Sequence, residues 1–225
     1  MVDIISGIAG LILDVTDALS FPTWLWILLL AIGFVIIPFI AFHKMRLQRD
    51  SIIQKSEAVL RYKGWLSSVQ HFEYEGKIIR RWFTTISFVN VPLYSSERGI
   101  AKQVVGHIEF WDSTRRNLLF EMVGRWADTP EAFAVGYIAD NIPVNILPNE
   151  FERRLNIVIK YDDDDDCYGY NNDSQKFKRW CDPSKVLDPG IYQVKVRLRG
   201  IGIGEDFWFI FENKGGQYEP TLQHT

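Results

Sequence analysis

Residues 22–42, PTWLWILLLAIGFVIIPFIAF, form a run of twenty-one residues without a charged side chain. An α-helix rises about 1.5 Å per residue, so roughly 20 apolar residues cross the hydrocarbon core of a bilayer. Trp24 and Trp26 lie at one end, where indole rings favour the membrane interface. A core helix of a soluble protein normally carries a polar stripe, which this run lacks. The run predicts a single transmembrane helix over 21–43, with the lipid bilayer as its partner.

Positive charge is distributed unevenly around this predicted span. No Lys or Arg precedes the span, whereas six follow it closely: Lys44, Arg46, Arg49, Lys55, Arg61 and Lys63. Short flanks rich in Lys and Arg stay in the cytoplasm. The distribution therefore predicts a single-pass protein of the cell membrane, with its N-terminus outside and its C-terminal domain in the cytoplasm.

The segments on either side of the span have simpler patterns. Residues 1–20 contain three Asp and no basic residue, whereas a cleavable signal peptide begins with basic residues, so we expect an uncleaved acidic tail. Apolar residues recur at seven-residue spacing over 45–59. This spacing predicts a basic juxtamembrane helix over 44–63, which Gly64 would end.

The remaining chain has the composition of a folded domain. Hydrophobic residues make up 47% of the chain and aromatic residues 14%, which is too rich for disorder. Subtracting the residues before position 64 leaves 25 − 6 = 19 Lys and Arg against 28 − 5 = 23 Asp and Glu. A net charge of 19 − 23 = −4 argues against a nucleic-acid partner.

From Trp65 onward the apolar residues change from a helical to a twofold period. Tyr192, Val194, Val196 and Leu198 alternate with polar residues, as in a strand with one buried face. Similar alternation occurs in 206–212, 155–161, 80–91, 102–111, 117–123 and 142–147. About seven strands and few helical signals predict an all-β, two-sheet sandwich over 64–214, followed by a flexible tail over 215–225.

The segment 188–194, DPGIYQV, resembles a known structural motif. Pro189 and Gly190 suit the central positions of a type II turn, and Tyr192 enters a strand two residues later. This is similar to the tyrosine corner of immunoglobulin-like folds, in which the Tyr hydroxyl bonds back to the turn that begins at Asp188. The following hairpin resembles the last strands of prokaryotic adhesion-type immunoglobulin-like domains. The resemblance implies a fold and no activity.

The most unusual composition is in residues 161–173, YDDDDDCYGYNND, within a long link between two predicted strands. Long links are where functional residues concentrate. Carboxylates are the ligands that calcium prefers, so the possible calcium site would use Asp162, Asp164, Asp166 and Asp173. The EF-hand pattern fails, because Cys167 stands where that loop requires Gly. A solvated acidic loop is the commoner use of such a run, and a docking patch for a basic partner is a third use.

Other candidate site residues are few. Cys167 and Cys181 are the only cysteines, and they would form a disulfide only if the domain is exported. Arg125 and Trp126 follow a predicted strand and are residue types favoured in protein interfaces, although Trp more commonly caps the end of a sandwich. The sequence has no G-x-S-x-G elbow, no H-E-x-x-H motif and no phosphate-binding loop. We therefore expect a protein without enzymatic activity and without a cofactor other than the possible calcium.

Two main function hypotheses follow from the sequence. The first is a membrane-anchored, cytoplasm-facing sandwich that serves as a protein-interaction or scaffolding module. The second is an exported, adhesion-like surface domain that binds calcium through 162–173 and contains an oxidised cysteine pair. An enzyme that uses these acids with a metal is a weaker third hypothesis. The side of the membrane on which the domain lies separates the first two.

Overall fold

The computed structural model describes residues 22–55, 57–93, 99–130 and 142–225. The chain divides after Gln54 into two compact units, the first containing an apolar helix and the second a β domain. The predicted acidic tail over 1–20 lies outside the described residues.

A single long helix, α1, extends over Thr23–Lys55 and contains Pro38. Its large apolar side chains are exposed around the helix, among them Phe34, Ile37 and Phe39. By length and composition alone, the stretch Leu30–Ile52 is apolar enough to cross a membrane. The predicted helix over 21–43 overlaps this stretch, and the structure extends the helix further along the chain.

The predicted juxtamembrane helix ends earlier than expected. Helix α1 ends at Lys55, and the first strand, β1, extends over Leu60–Tyr74, so Gly64 lies inside a strand rather than at a helix end. Leu60 is buried in the core of the domain, and the ring of Tyr62 lies 5.2 Å from that of Phe209. Burial in the sandwich therefore overrides the helical spacing that continues to residue 59.

The domain is a sandwich of two antiparallel sheets, as predicted, and its described residues contain eleven strands. After β1 they are β2 (Lys77–Asn90), β3 (Ala101–Trp111), β4 (Leu118–Val123), β5 (Val144–Ile146), β6 (Arg153–Tyr161), β7 (Cys167–Gly169), β8 (Val186–Leu187), β9 (Gly190–Ile201), β10 (Ile203–Asn213) and β11 (Thr221–His224). One sheet has the order β1-β2-β6-β7-β8, and the other has the order β11-β10-β9-β3-β4, with β5 also paired to β3. Most of the strands beyond the expected seven are short, which makes them weak signals in a sequence.

The main core lies between the inner faces of the two sheets. Val194, Val196 and Leu198 of β9 are fully buried, which confirms the predicted register of this strand. Strand β10 pairs with β9 and brings Phe209 opposite Val194. Gly202, with φ +73°, closes the predicted hairpin between them, in a conformation that favours glycine.

The tyrosine corner is confirmed, although its turn differs from the prediction. The hydroxyl of Tyr192 donates a hydrogen bond of 2.8 Å to the carbonyl of Asp188. Gly190 does not have the positive φ that a type II turn requires at this position, because it is the first residue of β9 and pairs with Asn213. The Tyr hydrogen bond therefore forms around an extended backbone. The sandwich is compatible with an immunoglobulin-like fold.

The C-terminal residues also differ from the prediction. Residues 215–225 were expected to form a flexible tail, but Thr221–His224 forms β11 at the edge of the second sheet. Leu222 is buried opposite Phe211, and the ring of His224 stacks 4.7 Å from that of Tyr62. Two side chains that cover the core are enough to fix a strand that is too short to show a clear period.

A β-bulge in β6 gives the first sheet a second apolar surface. Thr84 pairs with Val158 whereas Thr85 pairs with Asn156, so Ile157 is an extra residue. Residues after the bulge change sides: Ile159 and Tyr161 join Ile79, Phe83 and Tyr170 in a second cluster on the outer face. Three short 3₁₀ turns, Asp173–Lys176, Lys178–Trp180 and Pro183–Lys185, follow in the long link before β8. Trp180 and Cys181 pack against this second cluster, which positions part of the candidate site.

Candidate functional site

A small polar cleft opens on the outer face of the first sheet. It has a volume of about 150 Å³ and is lined by residues of β1, β2 and β6, of the segment after β4, and of the long link. We call it the arginine cleft and define it by Gln70, Phe83, Arg125, Arg154, Tyr170 and Trp180. No Asp or Glu is among the described residues that line it.

Strand alternation positions the floor of the arginine cleft. Ile86 and Phe88 of β2 point into the main core, so Phe83 and Thr85 belong to the opposite face. Asn156 of β6 pairs with Thr85 and lines the cleft beside it. The floor is therefore fixed by two central strands of a sheet, which are rigid elements of the fold.

Arg125 is the most buried charged residue of the cleft. It is only 5% exposed. One guanidinium nitrogen, Nη2, donates a hydrogen bond of 2.6 Å to the carbonyl of Thr129, whereas Nε is buried and has no partner in the part of the chain that the structure describes. A buried charge is unfavourable unless it is paired and hydrogen-bonded. Arg125 therefore has unused donor capacity inside the cleft.

Local backbone contacts hold Arg125 at this position. Its carbonyl accepts a hydrogen bond of 2.9 Å from the backbone N–H of Asn156, and the neighbouring Trp126 forms a bridge with Leu155. Trp126 is 1% exposed and its indole donates a hydrogen bond of 3.0 Å to the carbonyl of Val104. Trp126 is therefore a core residue, and its predicted role as an interface anchor is wrong. Arg125 keeps its candidate role.

Two more arginines lie at the cleft or beside it. Arg154 is exposed and lines the cleft. Arg81 donates a hydrogen bond of 2.6 Å from Nη2 to the side-chain oxygen of Gln70, and its guanidinium lies 4.2 Å from the ring centre of Trp180. Among the described residues, neither of them nor Arg125 forms an ion pair with an acid. The region thus combines three positive charges that have no ion pair with a described acid.

Aromatic rings form one wall of the arginine cleft. The rings of Tyr170 and Trp180 stack with centres 5.5 Å apart, and Phe83 meets Tyr170 edge to face at 5.3 Å. Such pairs are rigid and apolar, so they exclude water from one side of the cleft. Charge on one wall and apolar surface on the other are suited to a ligand that is itself anionic at one end.

The acidic loop, residues 162–166, differs from this arrangement. Asp162 accepts hydrogen bonds from the backbone N–H of Arg80 at 3.1 Å and from its Nε at 3.0 Å. Asp163 forms an ion pair with Arg179. The carboxylate of Asp164 accepts hydrogen bonds from the Tyr168 hydroxyl at 2.9 Å and from the backbone N–H of Asp166 at 3.1 Å.

The predicted calcium ligands are not brought together into one site. Asp173 forms an exposed ion pair of 2.8 Å with Lys176, away from the partners of Asp162 and Asp164. Burial raises the pKa of Asp166, and the charge of Asp164 raises it further. Among the described residues, no three acidic, His or Cys side chains form a group that could hold a metal ion. Calcium binding remains a prediction that the contacts of this loop do not favour.

A buried lysine forms hydrogen bonds to the backbone of the acidic loop. Lys160 is 0% exposed, and its ammonium donates hydrogen bonds to the backbone carbonyls of Asp164 at 3.0 Å and Asp165 at 2.9 Å. The carboxylate of Asp165 accepts a hydrogen bond of 2.8 Å from the backbone N–H of Gly216. The acidic run therefore closes around an internal cation, which gives it a structural role.

The two cysteines are free thiols in the described domain. Cys167 is buried in the main core, and burial raises its pKa to about 12. Burial also raises the pKa of Cys181 to about 11. Raised pKa values keep both groups protonated at neutral pH, which makes them poor nucleophiles.

Several cleft residues could not be identified from sequence patterns. Arg154, Tyr170 and Trp180 come from distant segments that strand β6 and the long link bring to one face, and Arg81 lies beside them. One usable signal exists: the twofold period over 80–91 places Phe83 opposite to the core-facing residues. Comparison with known protein families, with curated proteins and with solved structures found no match.

Proposed function

We propose that the chain is a single-pass membrane protein whose β-sandwich faces the cytoplasm and binds another protein as a non-enzymatic interaction or scaffolding module. The observation that carries this proposal is helix α1, whose apolar side chains are exposed on all sides rather than along one stripe. An apolar surface of this length favours a bilayer environment.

The orientation is supported by the charges that flank this helix. All six nearby Lys and Arg follow the apolar run and none precedes it. Moving each of these charges outward would oppose a membrane potential by about 2.3 kcal/mol per 100 mV. A cytoplasmic domain also agrees with two free thiols.

The arginine cleft supports binding to a protein. Arg, Trp and Tyr are the residue types most enriched in the energetically important parts of protein interfaces. The cleft contains all three, in Arg125, Trp180 and Tyr170, which the segment after β4 and the long link place over the face of the sheet. Its volume of about 150 Å³ is below the roughly 300–1,000 Å³ of small-molecule and cofactor sites.

The test uses the full chain expressed in cells with an added cysteine after Thr225. Membranes are extracted with alkaline carbonate, and intact cells are labelled with a membrane-impermeant maleimide. We expect the chain to stay in the membrane fraction and the added cysteine to react only after lysis. The double variant Ile36→Asp, Ile37→Asp should release the chain, since an Asp at the centre of a span costs about 2.5–3.5 kcal/mol.

A matched control is Ile78→Asp, which changes an exposed apolar residue of the β domain and should leave the chain in the membrane. Extraction of the unmodified chain by carbonate would contradict the anchor. Labelling of intact cells at the added cysteine would place the domain outside and favour the exported, adhesion-like hypothesis.

A further inference from the structure

We propose that the arginine cleft binds the carboxylate side chain of an Asp or Glu of the partner protein. This inference deepens the proposed function and rests on it for the partner being a protein.

The charges of the arginine cleft favour a carboxylate ligand. Arg125 is 5% exposed, its Nε has no partner among the described residues, and no described acid lines the cleft. Exposed Arg154 adds a second positive charge on the same lining. An arginine fork pairs with a carboxylate through two parallel hydrogen bonds, which satisfies geometry and charge together. A carboxylate supplies the hydrogen-bond acceptor and the negative charge that Arg125 lacks among the described residues.

The volume of the cleft and its aromatic wall suit a single acidic side chain. A cavity of about 150 Å³ accommodates one side chain rather than a whole small molecule. Half-buried Trp180, which stacks on the buried ring of Tyr170, lines the cleft beside the place of such a side chain.

The experiment follows the arginine Nε–H signals of the full, ¹⁵N-labelled chain in detergent micelles. The probe is the peptide acetyl-Thr-Val-Glu-Val-Thr-amide, compared with its Gln counterpart. We expect a saturable shift of the Arg125 signal with the Glu peptide, and binding at least about tenfold weaker with the Gln peptide, the loss of one charge-assisted hydrogen bond. Arg125→Met should abolish binding and Arg154→Met should weaken it.

Arg116→Met is the matched control, because Arg116 is exposed and does not line the cleft. It should bind the Glu peptide like the unmodified chain. Since Arg154 is exposed, its variant keeps the test valid even where Arg125→Met disturbs folding, and thermal unfolding of each variant checks this.

Three results would overturn the inference. Equal binding of the Glu and Gln peptides would exclude carboxylate recognition, and tighter binding of inorganic phosphate would identify a phosphate site. A shift of the Arg125 signal in the variant Glu131→Gln, Asp140→Asn without peptide would assign the anion to the chain itself. Specific Glu binding by a chain that carbonate extracts would support the inference while contradicting the membrane anchor.

Discussion

The acidic loop and the arginine cleft both contain several charged side chains, but they differ in whether those side chains have ion-pair partners. In the loop, Asp162 and Asp163 form ion pairs with arginines. The buried ammonium of Lys160 donates hydrogen bonds to two backbone carbonyls of the same loop. In the cleft, Arg125 and Arg154 form no ion pair within the described chain. Asp162, Asp163, Asp164 and Asp165 have partners within the domain, whereas Arg125 has a guanidinium N–H without a partner among the described residues.

This difference shows that an unusual composition does not by itself mark a binding site. Five consecutive aspartates suggest a binding site in the sequence, but most of their carboxylates form hydrogen bonds within the domain and so have a structural role. The cleft arginines are scattered along the chain and become notable only because the fold collects them beside aromatic rings. Buried polar groups without partners are uncommon in proteins, so each one requires an explanation.

The largest expected effect comes from the centre of the acidic loop. Lys160→Met would leave the carbonyls of Asp164 and Asp165 without their donor and should lower the free energy of unfolding by about 3–5 kcal/mol. The measurement is urea denaturation of the full chain in micelles, followed by tryptophan fluorescence. Lys102→Met, at an exposed position, is the control and should change it by less than about 0.5 kcal/mol. A loss below about 1 kcal/mol for Lys160→Met would contradict the structural role of the loop.

A smaller effect of opposite sign is expected at Asp166. Burial and the charge of Asp164 raise its pKa above the ordinary value of about 3.9, so the folded state favours the protonated form. The ionised group therefore destabilises the fold at neutral pH, and this cost disappears as the pH falls through the raised pKa. Asp166→Asn should raise the melting temperature at pH 7, with no gain below the ordinary Asp pKa.

Asp182 provides the matched comparison for this pH dependence. Burial would raise its pKa, but hydrogen bonds from Lys185 and Ser184 outweigh burial and lower it. Its ionised form stabilises the fold above the ordinary Asp pKa, and this contribution is lost as the pH falls through the lowered value. Asp182→Asn should therefore lower the melting temperature at pH 7, and the difference should shrink in acid. Shifts of the same sign for the two variants would contradict the opposite pKa shifts of Asp166 and Asp182.

The sequence predicted those parts of the fold whose pattern is local. The alternation from Tyr192 to Leu198 predicted β9, and the Gly-rich link with the alternation after it predicted the hairpin. The resemblance of 188–194 to a tyrosine corner implied the hydrogen bond of Tyr192. Strand β11 could not be predicted, because it depends on the packing of Leu222 and His224 against distant strands. The cleft could not be predicted either, since it combines side chains of three strands with Arg125 after β4 and with Tyr170 and Trp180 of the long link, which only the folded chain brings together.

The measurement that most directly tests the central claim is the unfolding free energy of Arg125→Met in the full chain without added peptide. If Arg125 has no acid partner within the protein, replacing it by an apolar side chain of similar length loses one hydrogen bond and relieves the burial of a charge. We expect the free energy of unfolding to stay within about 1 kcal/mol of the unmodified chain, or to rise. A loss of about 3–5 kcal/mol would show that the protein already neutralises this arginine, and would contradict an open cleft that awaits an acidic ligand.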